Sequence, residues 1–192
     1  KETGKNLGLE NDRIYKTYQE MAEKESVRPD GIDVVSIVTP NHLHVPIAKI
    51  FADKGIHIIC DKPIGMSSEE AIDLKKIIES KKLIFALTHN YTGYPMVRHA
   101  RSLVQKGDLG SLRVIQAEYP QDWLTTKAED SGLKQAEWRT DPNRSGAGGC
   151  IGDIGTHAYN LIRFITGLEV DEISADIHTF VEGRKVDDNA QI

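Results

Sequence analysis

Residues 34–63 read VVSIVTPNHLHVPIAKIFADKGIHIICDKP. Val34–Val38 is a short, β-branched, continuously apolar run, the pattern of a parallel strand covered on both faces. Thr39-Pro40-Asn41-His42 breaks it. Leu43, Ile47, Ile50 and Phe51 then recur near helical spacing, with Pro46 suited to a first helical turn and Gly55 to a stop. Ile56–Cys60 is a second apolar run, and it ends at Asp61-Lys62-Pro63. Two parallel strands joined by a helix form a right-handed βαβ unit. Such a unit puts Thr39 and Asp61, the ends of both strands, on one edge of the sheet. In an open parallel sheet ligands bind in the crevice beyond that edge.

The pattern continues on both sides. Thr17, with Glu20 three residues on, reads as a capping box for a helix to about Glu25. SSEEAIDLKKIIESKK (67–82) is a helix capped by Ser67 or Ser68, with acids in its first turn and lysines in its last. LIFALTH (83–89) is a third strand, and YPMVRHARSLVQKGDLG (94–110) a helix ending in glycine turns. Beyond about residue 110 the periodicity changes. SLRVIQAEYP (111–120) and DEISADIHTFVEG (171–183) alternate like antiparallel strands. Between them lie a polar, Trp-containing stretch (121–144) and a Gly-rich entry into the helix IGTHAYNLIRFITG (154–167). The expected fold class is α/β: the second half of a doubly wound parallel sheet over 1–92, then an α+β domain with an open, mostly antiparallel sheet over 93–192. A doubly wound domain usually has about six strands, and its first half carries a G-x-G-x-x-G turn and an acidic ribose partner. Neither motif occurs, so the expectation is a fragment cut at both ends, with a smaller fold as the alternative.

Composition excludes some functions. The 192 residues are 39% hydrophobic and 28% charged, with a net charge of −5, which is ordinary globular usage. No basic block suggests a nucleic acid or an anionic membrane. No apolar run approaches the ~20 residues of a membrane helix, and the first residues lack a signal core. Cys60 and Cys150 read as free thiols of a reducing compartment, hence a cytoplasmic protein.

Three groups of residues carry chemistry. Asn41 and the backbone ahead of the Leu43 helix could donate to a diphosphate or a ribose; a plain turn with a cap is the alternative. Lys62, biased to extended backbone by Pro63, could hydrogen-bond a substrate hydroxyl and favour its alkoxide; a solvated loop lysine is the alternative. Asp153 and His157, four apart, share one face of a helix. An imidazole beside a carboxylate suits proton transfer near neutral pH, and a structural pair is the alternative. These two residues supply only two metal ligands, so no metal site is expected. No G-x-S-x-G hydrolase motif is present.

The segment quoted above, followed about 90 residues later by GDIGTHAYNLIRFITG, resembles the Gfo/Idh/MocA oxidoreductases, the glucose–fructose oxidoreductase and inositol dehydrogenase family. The resemblance runs from about Tyr15 to the end. The family's Glu-Lys-Pro motif matches Asp61-Lys62-Pro63, and its catalytic Asp and His match Asp153 and His157. An acid often follows that His by three residues; here the position is Asn160. The resemblance implies a Rossmann domain, NAD or NADP as cofactor, and hydride transfer to or from a sugar, cyclitol or related polyol. It implies His157 as acid/base, Asp153 as its orienting group and Lys62 on the reacting oxygen. Thr39, Pro40, Asn41, His44, Asp61 and Asn90 would lie along the cofactor. Tyr94, Trp123, Trp138 and Arg139 would contact substrate. A homo-oligomer, dimer or tetramer, is expected through the second domain's sheet. A non-catalytic ligand-binding or regulatory protein on the same fold is the competing expectation. The fragment alone is expected to bind NAD(P)H weakly or not at all.

Overall fold

A computed structural model describes residues 2–192. Helices α1 (Glu2–Asn6) and α2 (Tyr18–Glu25) come first. Thr17 caps α2, its hydroxyl accepting the Glu20 N–H at 3.1 Å. The Glu20 carboxylate reaches back to the Lys16 N–H at 2.9 Å, one residue earlier than the reciprocal bond of a capping box. There follow β1 (Val34–Ile37), α3 (His44–Asp53), β2 (His57–Asp61), α4 (Ser68–Ser80) and β3 (Phe85–Thr88). The strands form a parallel sheet in the order β1-β2-β3, with Val34 opposite His57 and Ile37 opposite Cys60. A parallel pair cannot close through a hairpin, so each connection is a helix laid on the sheet.

The core follows from that crossover. Val45, Ile47, Ala48, Phe51 and Ala52 of α3 pack with Val35, Ile37, Ile56, Ile58 and Cys60 of the strands and with Leu74 and Ile78 of α4. Gly55 turns the chain from α3 into β2 at φ +78°, a left-handed conformation that glycine adopts without cost from a Cβ. Ser67, not Ser68, caps α4, accepting the Glu70 N–H at 3.3 Å. Lys81 and Lys82 fall beyond its last turn, because α4 ends at Ser80.

Expected burial of the strands on both faces is corrected. Val35 and Ile37 are buried, whereas Val34 and Val38 are 46% and 70% exposed. Right-handed crossovers that add strands in sequence order place their helices on the same face, and α3 and α4 do pack together. On the other face Val34 and Ile59 are exposed.

The chain divides into two compact units: one holds the chain up to Thr39 plus Leu43–Leu87, the other Pro40–His42 plus Thr88–Ile192. The second contains α5 (Pro95–Lys106), α6 (Lys134–Arg139), α7 (Pro142–Ser145), α8 (Thr156–Thr166), β4 (Asp176–His178) and β5 (Asn189–Gln191). Strands β4 and β5 pair antiparallel, Asp176 opposite Gln191. Of the strands expected at 111–120 and 171–183, the first forms no ladder and the second only the three residues of β4. Alternation makes a segment fit for a sheet, but a partner's hydrogen bonds make the strand. No helix among the described residues is long and apolar enough to cross a membrane.

An ion pair braces the segment ahead of the sheet. Glu25, 3% exposed, accepts from Arg13 at 3.1 and 2.7 Å and from the Tyr15 hydroxyl. The Arg13 hydrogen bond holds the Glu25 carboxyl below its usual range, against the opposing effect of burial. A lowered folded value means stability that is present above the unfolded value of about 4.3 and lost as pH falls through the folded one. Glu25→Gln is expected to lose ~1–3 kcal/mol at neutral pH in urea unfolding. The difference from the native protein shrinks as the pH is lowered.

Candidate active site

The carboxyl ends of β1 and β2 supply one group of residues, all in the first unit. Thr39 follows β1, and its hydroxyl oxygen is buried with no hydrogen-bond partner among the described residues. Such a group is a candidate for satisfaction by a ligand. This observation fits a bound dinucleotide at the strand end. His44, in the first turn of α3, is 1% exposed. Its Nδ1 lies 2.7 Å from the Pro63 carbonyl and its Nε2 2.7 Å from the Thr39 carbonyl. A neutral imidazole has one N–H and satisfies one of these; the doubly protonated ring satisfies both. Both ring nitrogens of His44 therefore face carbonyls of the protein. The ring ties the turn after β1 to the turn after β2.

Asp61 and Lys62 are partly buried at the end of β2, and the Lys62–Pro63 bond is cis. The following turn presses on the helices. A Cβ on Gly65 would come within 2.8 Å of Val45 Cγ2 and 3.0 Å of Glu70 Oε2. Glu70 also accepts the Met66 N–H at 2.9 Å.

The second unit holds the other group. Asn41, 6% exposed, donates through Nδ2 to the Ser145 carbonyl at 2.8 Å, so that amide nitrogen serves the protein. Pro40 precedes it, partly buried. Asp153 does not lie on a regular helix. It sits in a π-helical turn, Ile151–Gly155, that runs into α8; such turns are frequent at functional sites. His157 occupies the first turn of α8 and is 7% exposed.

Around this turn the structure gathers residues expected only as loose substrate contacts. Arg139 Nε donates to Asp153 Oδ2 at 3.0 Å. Its guanidinium lies 4.2 Å from the Trp138 ring centre and 5.8 Å from that of Trp123. Both indole N–H groups are hydrogen-bonded, Trp138 to Gln135 and Trp123 to Gln121. Tyr94 and Asn90 are exposed near the end of β3, and Asn160 lies on α8, partly buried.

Sequence reasoning missed the aromatic wall beside His157. The Tyr91 ring is 4.6 Å from the imidazole, and His89 meets it edge-on at 6.3 Å. The Tyr91 and Tyr119 hydroxyls are hydrogen-bonded at 2.5 Å. That bond first, and burial next, push the Tyr91 phenol up to about 12, so it stays neutral near pH 7. The available signal was position: His89 and Tyr91 flank Asn90 on the ligand-binding edge. Among the described residues no cluster of three potential metal ligands exists.

Comparison with known proteins gives the class and the family. Residues 2–89 match the oxidoreductase family with an NAD-binding Rossmann fold, and residues 97–192 match the GFO/IDH/MocA C-terminal domain. The chain belongs to the GFO/IDH/MocA oxidoreductase family. It is 34% identical over 194 residues to the uncharacterized oxidoreductase YfiI of Bacillus subtilis, covering 100% of this chain and 49% of that protein. It is 34% identical over 156 residues to levoglucosan dehydrogenase of Pseudarthrobacter phenanthrenivorans, covering 81% and 38%. Among solved structures, an oxidoreductase from Sinorhizobium meliloti superposes with a TM-score of 0.82 at 46% identity, covering 98% and 48%. An inositol dehydrogenase homologue from Azotobacter vinelandii, complexed with NAD+, superposes at 0.94 with 30% identity, covering 98% and 49%. The chain thus spans about half the length of the relatives it matches.

Arg139 joins Asp153 to both tryptophans of the chain. Arg139→Ala is expected to shift the tryptophan emission to the red and to lower stability by ~0.5–2 kcal/mol. Unchanged fluorescence would contradict the stacked arrangement.

Proposed function

We propose that the protein is an NAD(P)-dependent dehydrogenase acting on a CH–OH group of a sugar, cyclitol or related polyol. The observation that carries this reading is the Asp153–His157 turn, braced by Arg139 and walled by Tyr91, in a chain of this oxidoreductase family. His157 takes the carbinol proton, and Asp153 orients the imidazole and supports its charged form. Lys62 hydrogen-bonds the reacting oxygen and favours its alkoxide character. The nicotinamide, when bound, supplies the hydride acceptor. Thr39, Pro40, Asn41, Asp61, Lys62 and Asn90 are assigned to hold it, with His44 positioning the strand ends. Tyr94, Trp123, Trp138 and Arg139 are assigned to the substrate side, where aromatic faces suit the C–H face of a sugar ring.

Sugar and cyclitol chemistry is supported by relatives named levoglucosan dehydrogenase and D-xylose 1-dehydrogenase, and by the structure of an inositol dehydrogenase homologue complexed with NADH and myo-inositol. Self-association would use exposed apolar residues of the second unit, among them Val114, Ile173 and Phe180. Light scattering at micromolar concentration is expected to give a dimer or tetramer. Both cysteines are free thiols, which suits a cytoplasmic setting.

The deciding experiment uses the full-length protein that carries this sequence. His157→Ala is expected to lower kcat ~10²–10⁴-fold, with NAD(P)H affinity by fluorescence titration little changed. If the native protein binds cofactor yet oxidises no member of a sugar and polyol panel, the non-catalytic reading takes its place.

A further inference from the structure

The π-helical turn that carries Asp153 is entered through Gly149, Cys150 and Ile151, and these three residues converge on one side chain far along the chain. Asp187 lies two residues before β5. Its Oδ1 accepts the Gly149 N–H at 2.6 Å. Its Oδ2 accepts the Ile151 N–H at 2.8 Å and the Cys150 thiol at 2.9 Å. Its backbone carbonyl accepts the Cys150 N–H at 2.9 Å. A carboxylate is required for this pattern, because both oxygens must accept and an amide can accept at only one. The thiol is kept as a donor: burial, then the Asp187 carboxylate, push Cys150 up to about 12.

The grip has no slack. A Cβ on Gly149 would fall 2.2 Å from the Asp187 carbonyl oxygen and 2.7 Å from Val186 Cγ2. The carbonyl of that same Gly149 accepts the Asp153 N–H at 2.9 Å, so the residue that Asp187 holds also sets the backbone of Asp153. Behind the clamp, Asp188 accepts the Phe180 and Val181 N–H groups at 2.7 and 3.0 Å. Asp188 also pairs with Arg184 at 3.2 Å. Arg184 in turn forms two bonds to Glu129, at 3.0 and 2.9 Å, and donates to the Leu124 and Thr126 carbonyls. Asp187 is therefore fixed from its own neighbour, while its side chain fixes the turn.

We infer that Asp187 is a positioning residue for the acid/base pair: it sets the register of the turn from which Asp153 and His157 act, without touching substrate or cofactor. This rests on the proposed roles of Asp153 and His157. Asp187→Asn preserves size but turns an amide N–H₂ toward a backbone or thiol donor. In the full-length protein the variant is expected to lose tenfold or more in kcat, with KM and NAD(P)H affinity within twofold of native. Backbone amides of residues 149–153 are expected to exchange at least tenfold faster, with those of the first unit unchanged. Cys150→Ala removes the thiol donor alone, so it serves should Asp187→Asn not fold; the same pattern is expected at three- to tenfold. Ile78→Val, a core truncation in the first unit, controls for lost stability and is expected to keep kcat per folded molecule. A kcat within twofold of native in the folded Asp187 or Cys150 variants overturns the inference. If the native protein has no turnover at all, the proposed function fails separately. The exchange measurement then still reads the clamp, and unchanged exchange at 149–153 overturns it.

Discussion

A parallel strand pair has no short way to close. That constraint organises the first unit: β1 and β2 can be neighbours only if α3 crosses between them, and α3 must bury an apolar face to stay there. Phe51, Ala48 and Val45 do so against Ile37, Ile58 and Cys60. Both strands then end on the same edge. Once the ends are neighbours, a single side chain in the first turn of α3 can span them, and His44 does, with its two ring nitrogens on the Thr39 and Pro63 carbonyls. Lys62, next to Pro63 in sequence, thus projects from a turn whose backbone is tethered to the end of the neighbouring strand.

The second unit solves a harder problem. The turn that carries Asp153 is not an end of a strand but a π-helical distortion entered through glycines, a conformation with little local support. Stability is supplied from elsewhere. Asp187 satisfies the N–H groups of the entry, Arg139 fixes the Asp153 carboxylate, and Tyr91 lies along the imidazole of His157. Buried or half-buried polar groups in such a region must all be paired, since one unsatisfied group costs more than a satisfied one contributes. Arg184 illustrates the rule: 9% exposed, it meets two carboxylates and two carbonyls.

These two units differ in how far their sequences could be read. The crossover was legible because its signals are contiguous: apolar runs, a helical period and turn residues follow one another over 34–63. Which strand faces would be covered was not, because that depends on the order in which strands join the sheet; Val34 and Val38 stay exposed although they look like core. The segment 111–120 alternates like a strand and is not one here, since alternation is local and pairing is not. Asp153 and His157 drew attention through their spacing alone. Asp187, 36 to 38 residues from the amides it binds, and Arg184, 55 residues from Glu129, did not. Nothing local distinguishes a clamping acid from a solvated one.

Charge control around the imidazole gives the arrangement its chemical sense. An acid/base group must be the one that changes state near neutral pH, and its neighbours must not. Tyr91 is held as a phenol by Tyr119 and by burial, up to about 12. Cys150, at the entry of the turn, is held as a thiol beside Asp187, also up to about 12. Asp153 is tied to the Arg139 guanidinium at 3.0 Å. His157 stands among these groups, with Tyr91 along its ring and His89 edge-on to it. The phenol, the thiol and the ion-paired carboxylate therefore fix the geometry around the ring at the start of α8.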